Sequence, residues 1–298
     1  MSNYLQPYTQ RIVAGTVASL SWQLIDGTGE PANPGTVTVD VTRADGTALV
    51  TTGATSGTST AARTYSLTAA ETATLDRLTV TWVASGTTLA TTEVDVAAAP
   101  WFSNAELRAQ EPSLAVTSTY SAESITTARL YVEAFFERVC HRRFVPGYDL
   151  RWVEGSASTS LVVPHPEVRK VRSAALYNDP AGTSVATLSS TELNAIPAAP
   201  SGVISRYATT WAARWVKVGY EHGFTTPPPD VKRAAMRLTR EILNEAKITS
   251  PDAAVSWNSS DLGWSAVFVT PGVRGAHTRL PQVNEVLDAW TFAEMGIA

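Results

Sequence analysis

The chain has 298 residues, of which 44% are hydrophobic and 17% charged, with 23 basic against 27 acidic side chains for a formal net charge of −4. That length excludes a disulfide-stapled miniprotein, the apolar content excludes a disordered chain, and the near balance of charge leaves no global field for holding nucleic acid, so any such contact must be local or shared among copies. The single cysteine, Cys140, excludes both an internal disulfide and a four-cysteine zinc site.

The opening Met1-Ser2-Asn3-Tyr4-Leu5-Gln6 has no basic stretch leading into an apolar run, and no segment approaches about 18 consecutive apolar residues. Synthesis in the cytoplasm and no membrane-spanning segment are expected. The first hundred residues then stand apart. They carry Arg11, Arg43, Arg63 and Arg77 against eight acidic residues, so the whole net charge lies there. Thr36–Val41 and Leu78–Val83 alternate with period two, and Ala44-Asp45-Gly46 offers a turn between β-prone stretches. With Thr16–Ile25, Thr60–Leu67 and Thr88–Val96 they predict a small Ig-like β-sandwich over residues 1–98, its valines and Trp82 inside. Gly and Ser interrupt Thr51–Thr60, which predicts an exposed loop, and Ala97-Ala98-Ala99-Pro100 marks the boundary.

From Trp101 the period changes. Ser103 with Glu106 three residues later forms a capping-box pattern for a short helix near 103–109. Ser121 or Ser124 starts a long helix near 122–142 with Ile125, Ala128, Val132, Phe135, Phe136 and Val139 as its apolar stripe, closed by a buried Cys140. Residues 148–220 read as a strand-rich insertion, with candidate strands at Leu150–Val153, Leu161–Val163, Val168–Leu176, Val203–Tyr207 and Trp215–Tyr220. Asp230 after three prolines reads as the N-cap of a helix near 230–247, with Val231, Ala234, Ala235, Leu238 and Ile242 inward. Residues 256–278 read as a flexible, glycine- and serine-rich segment, and residues 281–292 as a terminal helix with Pro281 in its first turn. The fold class expected is α+β: an N-terminal all-β sandwich-like domain followed, over 99–298, by a helical domain with a strand-rich insertion.

Chemistry-bearing constellations are sparse. His141, His165, His222 and His277 form no HExxH pair, and there is no phosphate-binding glycine loop running into Lys-Ser or Lys-Thr, no GxGxxG and no GxSxG elbow. Glu133 and Glu137 share a helix face and are expected to be solvated. No enzyme, cofactor or metal is therefore expected. Tyr207, Trp211, Trp215 and Tyr220 have strand spacing, which favours core or interface over a stacking platform for bases. Two basic sets remain. Arg138, Arg142 and Arg143 end the long helix, where the dipole favours cations, and Lys232, Arg233, Arg237 and Arg240 share one face of the next. Spacing alone does not separate a solvated surface, ion pairs with a neighbouring subunit, and DNA phosphate contact.

Four segments in order carry a resemblance. They are the long helix running into Cys140-His141-Arg142-Arg143-Phe144-Val145-Pro146, and Leu161-Val162-Val163-Pro164-His165-Pro166-Glu167-Val168-Arg169-Lys170-Val171. The third is Val216-Lys217-Val218-Gly219-Tyr220-Glu221-His222-Gly223-Phe224 followed by Pro227-Pro228-Pro229-Asp230-Val231-Lys232, and the fourth is Arg279-Leu280-Pro281-Gln282-Val283-Asn284-Glu285-Val286-Leu287. Residues 101–298 thereby resemble the head-to-tail connector, or adaptor, proteins of long-tailed double-stranded DNA bacteriophages. Asn284 stands where that pattern has aspartate, so the ion pair sometimes made there is expected to be absent. The resemblance implies a structural subunit of a homo-oligomeric, dodecameric ring beneath the portal protein, at the head–tail junction of a virion assembled in the host cytoplasm. Its partners would be further copies of itself, the portal, a tail-side neck or tail-terminator protein, the capsid through the N-terminal domain, and genomic double-stranded DNA passing through the channel. Both basic sets become candidates for interface or DNA-channel contact. Trp257, Trp264, Phe268, Arg274 and Arg279 become candidates for docking, in and just after the flexible segment. The alternative is a tail-tip or surface protein binding carbohydrate or a receptor through the sandwich, with its tryptophans as stacking surface.

Overall fold

The computed structural model describes residues 10–155, 157–207, 209–212, 214–245, 256–259, 264–267 and 277–292. The fold is mixed α+β and divides into two compact units, each drawn from two stretches of chain: residues 1–100 with 145–225, and 101–144 with 226–298.

The first unit opens with β1 (Gln10–Val13), β2 (Ala18–Trp22), β3 (Val37–Thr42), β4 (Ala48–Ala54), β5 (Arg63–Leu67), β6 (Asp76–Ala84) and β7 (Thr87–Ala97). A five-stranded sheet in the order β1-β7-β6-β3-β4 and a β2-β5 ribbon share one core. The period-two pattern is met strand by strand: Val37, Val39 and Val41 on β3, and Leu78, Val80 and Trp82 on β6, are buried on one face while Thr38, Asp40, Thr79 and Thr81 between them are not. Burying that face excludes water from a sheet whose register would otherwise slip.

Thr51–Thr60 is only in part the loop expected, because β4 extends through Ala54 and pairs with β3 across a bulge. The glycine that suggested a loop is packed instead. A Cβ on Gly53 would lie within 3.1 Å of Tyr65, Val50 and Val39, so the missing side chain makes room for three others.

The unit continues with β8 (Gly147–Glu154), β9 (Ser160–Val162), β10 (Val168–Tyr177), β11 (Ala186–Thr187), α3 (Ser190–Asn194), β12 (Val203–Ser205) and β13 (Trp215–His222). An antiparallel sheet runs β11-β10-β13-β8, beside a β9-β12 ribbon. Their core includes Val171, Val216, Val218, Trp211 and Tyr220, all within 1% of full burial. The aromatic quartet is therefore no platform: Trp211 and Tyr220 are interior, and only Tyr207 stands out at 83% exposure.

In the second unit, α1 (Asn104–Gln110) has the expected capping box between Ser103 and Glu106, and a single 3₁₀ turn follows at Pro112–Leu114. Helix α2 (Ala122–Cys140) is capped by Ser121, whose hydroxyl accepts the Ser124 N–H at 3.0 Å. Ile125, Ala128, Val132, Phe136 and Cys140 form its buried stripe, as expected for the cysteine. Glu133 is buried as well, contrary to the solvated reading. Its carboxylate accepts the Trp101 backbone N–H at 3.0 Å and lies 3.5 Å from Arg129, which answers a donor that the helix-period pattern does not reveal. Helix α4 (Pro229–Glu245) packs against both α2 and α5 (Pro281–Trp290). Asp230 is not the N-cap; it sits one residue inside the helix because the chain turns helical at Pro229, an admissible first-turn proline. Strands β14 (Ser256–Ser259) and β15 (Trp264–Val267) pair antiparallel. Among the described residues no helix is long and apolar enough to cross a membrane.

Candidate functional site

Three of the four sequence motifs meet inside the helical unit. The Cys140 carbonyl that ends α2 accepts the Phe292 N–H at 2.9 Å, just past α5, and the Cys140 Sγ lies 3.8 Å from the Leu287 carbonyl. His141 then turns left-handed at φ 52°, stopping the helix and sending Phe144 inward, where its ring packs edge-on against Trp101 and Trp290 at 5.0 and 5.9 Å. The Trp290 indole N–H donates to Asp230 at 2.8 Å, joining the end of α5 to the first turn of α4. Asn284 hydrogen-bonds Thr278 in both directions, accepting from its backbone N–H and donating to its carbonyl at 2.8 and 2.9 Å. The segment before α5 is thus fixed by an amide's paired donor and acceptor, which a carboxylate in that place lacks.

The candidate cations separate into engaged and unengaged groups. Lys232 lies 2.6 Å from Glu106 and Arg240 2.9 Å from Glu111, so these two neutralise carboxylates around α1. The Lys232 hydrogen bond and the Ser103 cap together hold the Glu106 carboxyl down at about 2. Arg142 lies over the rings of Trp290 and Phe292 at 5.7 and 5.3 Å, exposed Arg138 lies over Phe135 at 5.8 Å, and Arg143 is buried. That leaves Arg233, exposed, and Arg237, half-buried, four residues apart on α4. Among the described residues neither has a hydrogen bond or ion pair. Arg279 helps line a cavity of about 230 Å³ with Tyr131, Phe135, Leu238 and Ile242. Trp257 lies on β14 and Trp264 on β15, directly paired with Ser259. Phe268 and Arg274, and most of the segment expected to be flexible, lie outside the described residues.

The second and third motifs meet in the β-rich unit, around a carboxylate the sequence reading did not single out. Asp149 on β8 stands opposite Tyr220 on β13, and strand alternation puts His222 on the same face as Tyr220. His165 enters from the turn between β9 and β10. Asp149 Oδ2 lies 3.3 Å from His222 Nε2 and 3.5 Å from His165 Nδ1, the two imidazoles stack at 4.3 Å, and Tyr220 Oη is 2.8 Å from His165 Nδ1. The other oxygen, Asp149 Oδ1, faces Arg151 at 3.3 Å and Arg77 of β6 at 3.4 Å. Burial opposes ionisation of Asp149, but the His222 hydrogen bond and the charges of Arg77, His165 and Arg151 prevail and hold it well below the usual carboxylate range. Burial, reinforced by the Asp149 charge, pushes the Tyr220 phenol well up. Asp149, His165 and His222 each present a possible metal-ligand atom, all within 4.8 Å of one another. No local spacing signals this set, since the residues are 16 and 57 positions apart; only the strand-period Tyr220-x-His222 hinted at a shared face.

No protein family and no curated protein matches the sequence. Among solved structures, the chain is similar to one described as the neck of an empty GTA particle computed with C6 symmetry. The identity is 14% and the TM-score 0.38, over 64% of this chain and 90% of that one. The neck of a native GTA particle computed with C12 symmetry gives the same identity and coverage with a TM-score of 0.37.

Proposed function

We propose that this chain is a structural connector subunit: residues 99–298 join a ring of identical copies beneath a phage portal, and residues 1–98 serve as an accessory β-domain. The observation that carries this reading is the pairwise convergence of the four motifs on which the resemblance to head-to-tail connectors rests. Segments far apart in sequence, ending at Cys140, starting at Asp230 and ending at Trp290, form one packed junction, while the His165 turn and the Val216–His222 strand form another.

A ring subunit needs two different complementary patches whose rotation closes. On this reading Arg233 and Arg237 face carboxylates of the adjacent subunit or the phosphates of DNA in the channel, since nothing described within the chain neutralises them. The remaining net charge is low, which suits a channel that lets DNA pass without gripping it. The portal, a tail-side neck or tail-terminator protein, and the capsid through residues 1–98 are the proposed partners, and the virion neck the proposed location, after assembly in the host cytoplasm. The alternative of a carbohydrate-binding sandwich is left with little stacking surface, because Trp82 is buried in the sandwich core and Trp22, half-buried, stacks on it at 6.1 Å.

The test is a null mutant of the encoding virus. Filled heads and finished tails accumulating unjoined support the connector role; tailed particles that fail only to adsorb would refute it.

A further inference from the structure

We propose that Asp149, His165 and His222 form a divalent transition-metal site of the zinc class within the β-rich unit. The first support is metric. In a tetrahedral site with bonds of about 2.0–2.1 Å, neighbouring donor atoms are about 3.3–3.4 Å apart. The Asp149 Oδ2 separations from His222 Nε2 and His165 Nδ1 are 3.3 and 3.5 Å, which match two edges of such a tetrahedron. The imidazoles, stacked at 4.3 Å with their planes 17° apart, must swing apart for both lone pairs to meet one ion, and His165, on its turn and 23% exposed, is the ring placed to do so.

The second support is the donor set. Two imidazole nitrogens and one carboxylate oxygen suit zinc, cobalt or nickel and do not suit calcium or magnesium, which require oxygen ligands in larger number. The third is the shell behind the donors. Asp149 Oδ1 is held by Arg77 and Arg151, which fixes the carboxylate with Oδ2 turned to the imidazoles, as second-shell partners of a metal-binding carboxylate do. Access is through His165, whose side chain is 23% exposed, whereas those of Asp149 and His222 are 4% and 0% exposed. Tyr220 Oη, 2.8 Å from His165 Nδ1, is a further oxygen at the rim of the donor triangle.

An ion there would tie together β8, β13 and the turn before β10, the sheet that Arg77 of β6 also reaches. It would act as a rivet of the fold, binding the folded chain alone and so stabilising it.

The test uses the full-length chain without an affinity tag, stripped with chelator and titrated with Co²⁺ while its visible d–d absorption is recorded, followed by displacement with Zn²⁺ and elemental analysis. One equivalent of each metal per chain, a rise in the thermal midpoint with Zn²⁺ and none with Ca²⁺ are expected. His165→Ala should weaken Co²⁺ binding at least about tenfold, and Asp149→Asn should do likewise, both with unchanged circular dichroism. His277→Ala, which removes the exposed histidine 3.6 Å from Asp288, should leave binding as it was. Absence of a saturable Co²⁺ band at one equivalent, undiminished binding in folded His165→Ala, or loss of binding in His277→Ala would each overturn the proposal.

Discussion

The Trp290 indole donates to the Asp230 carboxylate at 2.8 Å, linking two helices whose partners in this contact are 60 residues apart. The contact is exposed, so its strength is that of a charge-assisted bond in competition with water. Trp290→Phe keeps a ring against Phe144 and should cost about 1 kcal/mol in urea unfolding. Asp230→Ala should cost a similar amount, and the double variant less than both together. Full additivity would mean that the bond contributes nothing.

Cys140 is fully buried at the end of α2, and burial pushes its thiol up to about 12, against the lowering charge of Arg142 and with a smaller raising contribution from Asp288. The thiolate is the reactive form. The folded protein at pH 8 should therefore not react with a thiol-specific disulfide reagent on the timescale of minutes, while one thiol per chain reacts in denaturant. Rapid reaction of the native protein would show that the α2–α5 contact opens readily.

Glu106 is held down to about 2 from an ordinary value of 4.5, chiefly by the Lys232 hydrogen bond and then by the Ser103 cap. A depressed folded value means that the unfolded chain takes up the proton first as pH falls. The contribution of this carboxylate is thus complete above the ordinary value, declines below it and is gone once pH passes about 2. Its side chain is half exposed, which limits the effect to about 1 kcal/mol or less. Between pH 6 and pH 3 the urea midpoint of the wild type should fall more than that of Glu106→Gln; equal falls would contradict the pairing.

Arg233→Glu with Arg237→Glu separates folding from assembly. Neither arginine has a partner among the described residues, so the urea midpoint should move by no more than about 0.5 kcal/mol equivalent. Complementation of the null virus should nevertheless fail. Lys232→Ala, which only removes a pair with Glu106, should complement. The reverse ranking would locate the assembly surface elsewhere.

Where side chains alternate or recur along one element, the sequence was a sufficient guide. Val37-x-Val39-x-Val41, the Ile125-to-Cys140 stripe and the Ser103–Glu106 box each record a local period or a cap, and each element formed where it was read, although α2 stops at Cys140 rather than 142 and leaves Phe135 and Val139 only half-buried. Gly53 misled because a glycine that admits Tyr65 into the core looks in sequence like one that frees a loop. Glu133 misled because its partner, the Trp101 backbone N–H, lies 32 positions away. The short helix α3 carries a capping box of its own, Ser189 with Glu192, but five residues hold no apolar period to confirm it. Of the basic residues, spacing identified the face of α4 but not which cations are neutralised, since that depends on Glu106 and Glu111 arriving from another helix. The Asp149–His165–His222 cluster was invisible for the same reason: its members are brought together by sheet pairing alone.

The central claim, that this chain is a ring subunit of a virion neck, is tested most directly by counting. Peptide mass spectrometry of purified particles, with the major capsid protein as internal standard, should give about twelve copies per particle, the number for a closed ring of this order at one vertex. Hundreds of copies, three or six, or none at all would contradict it.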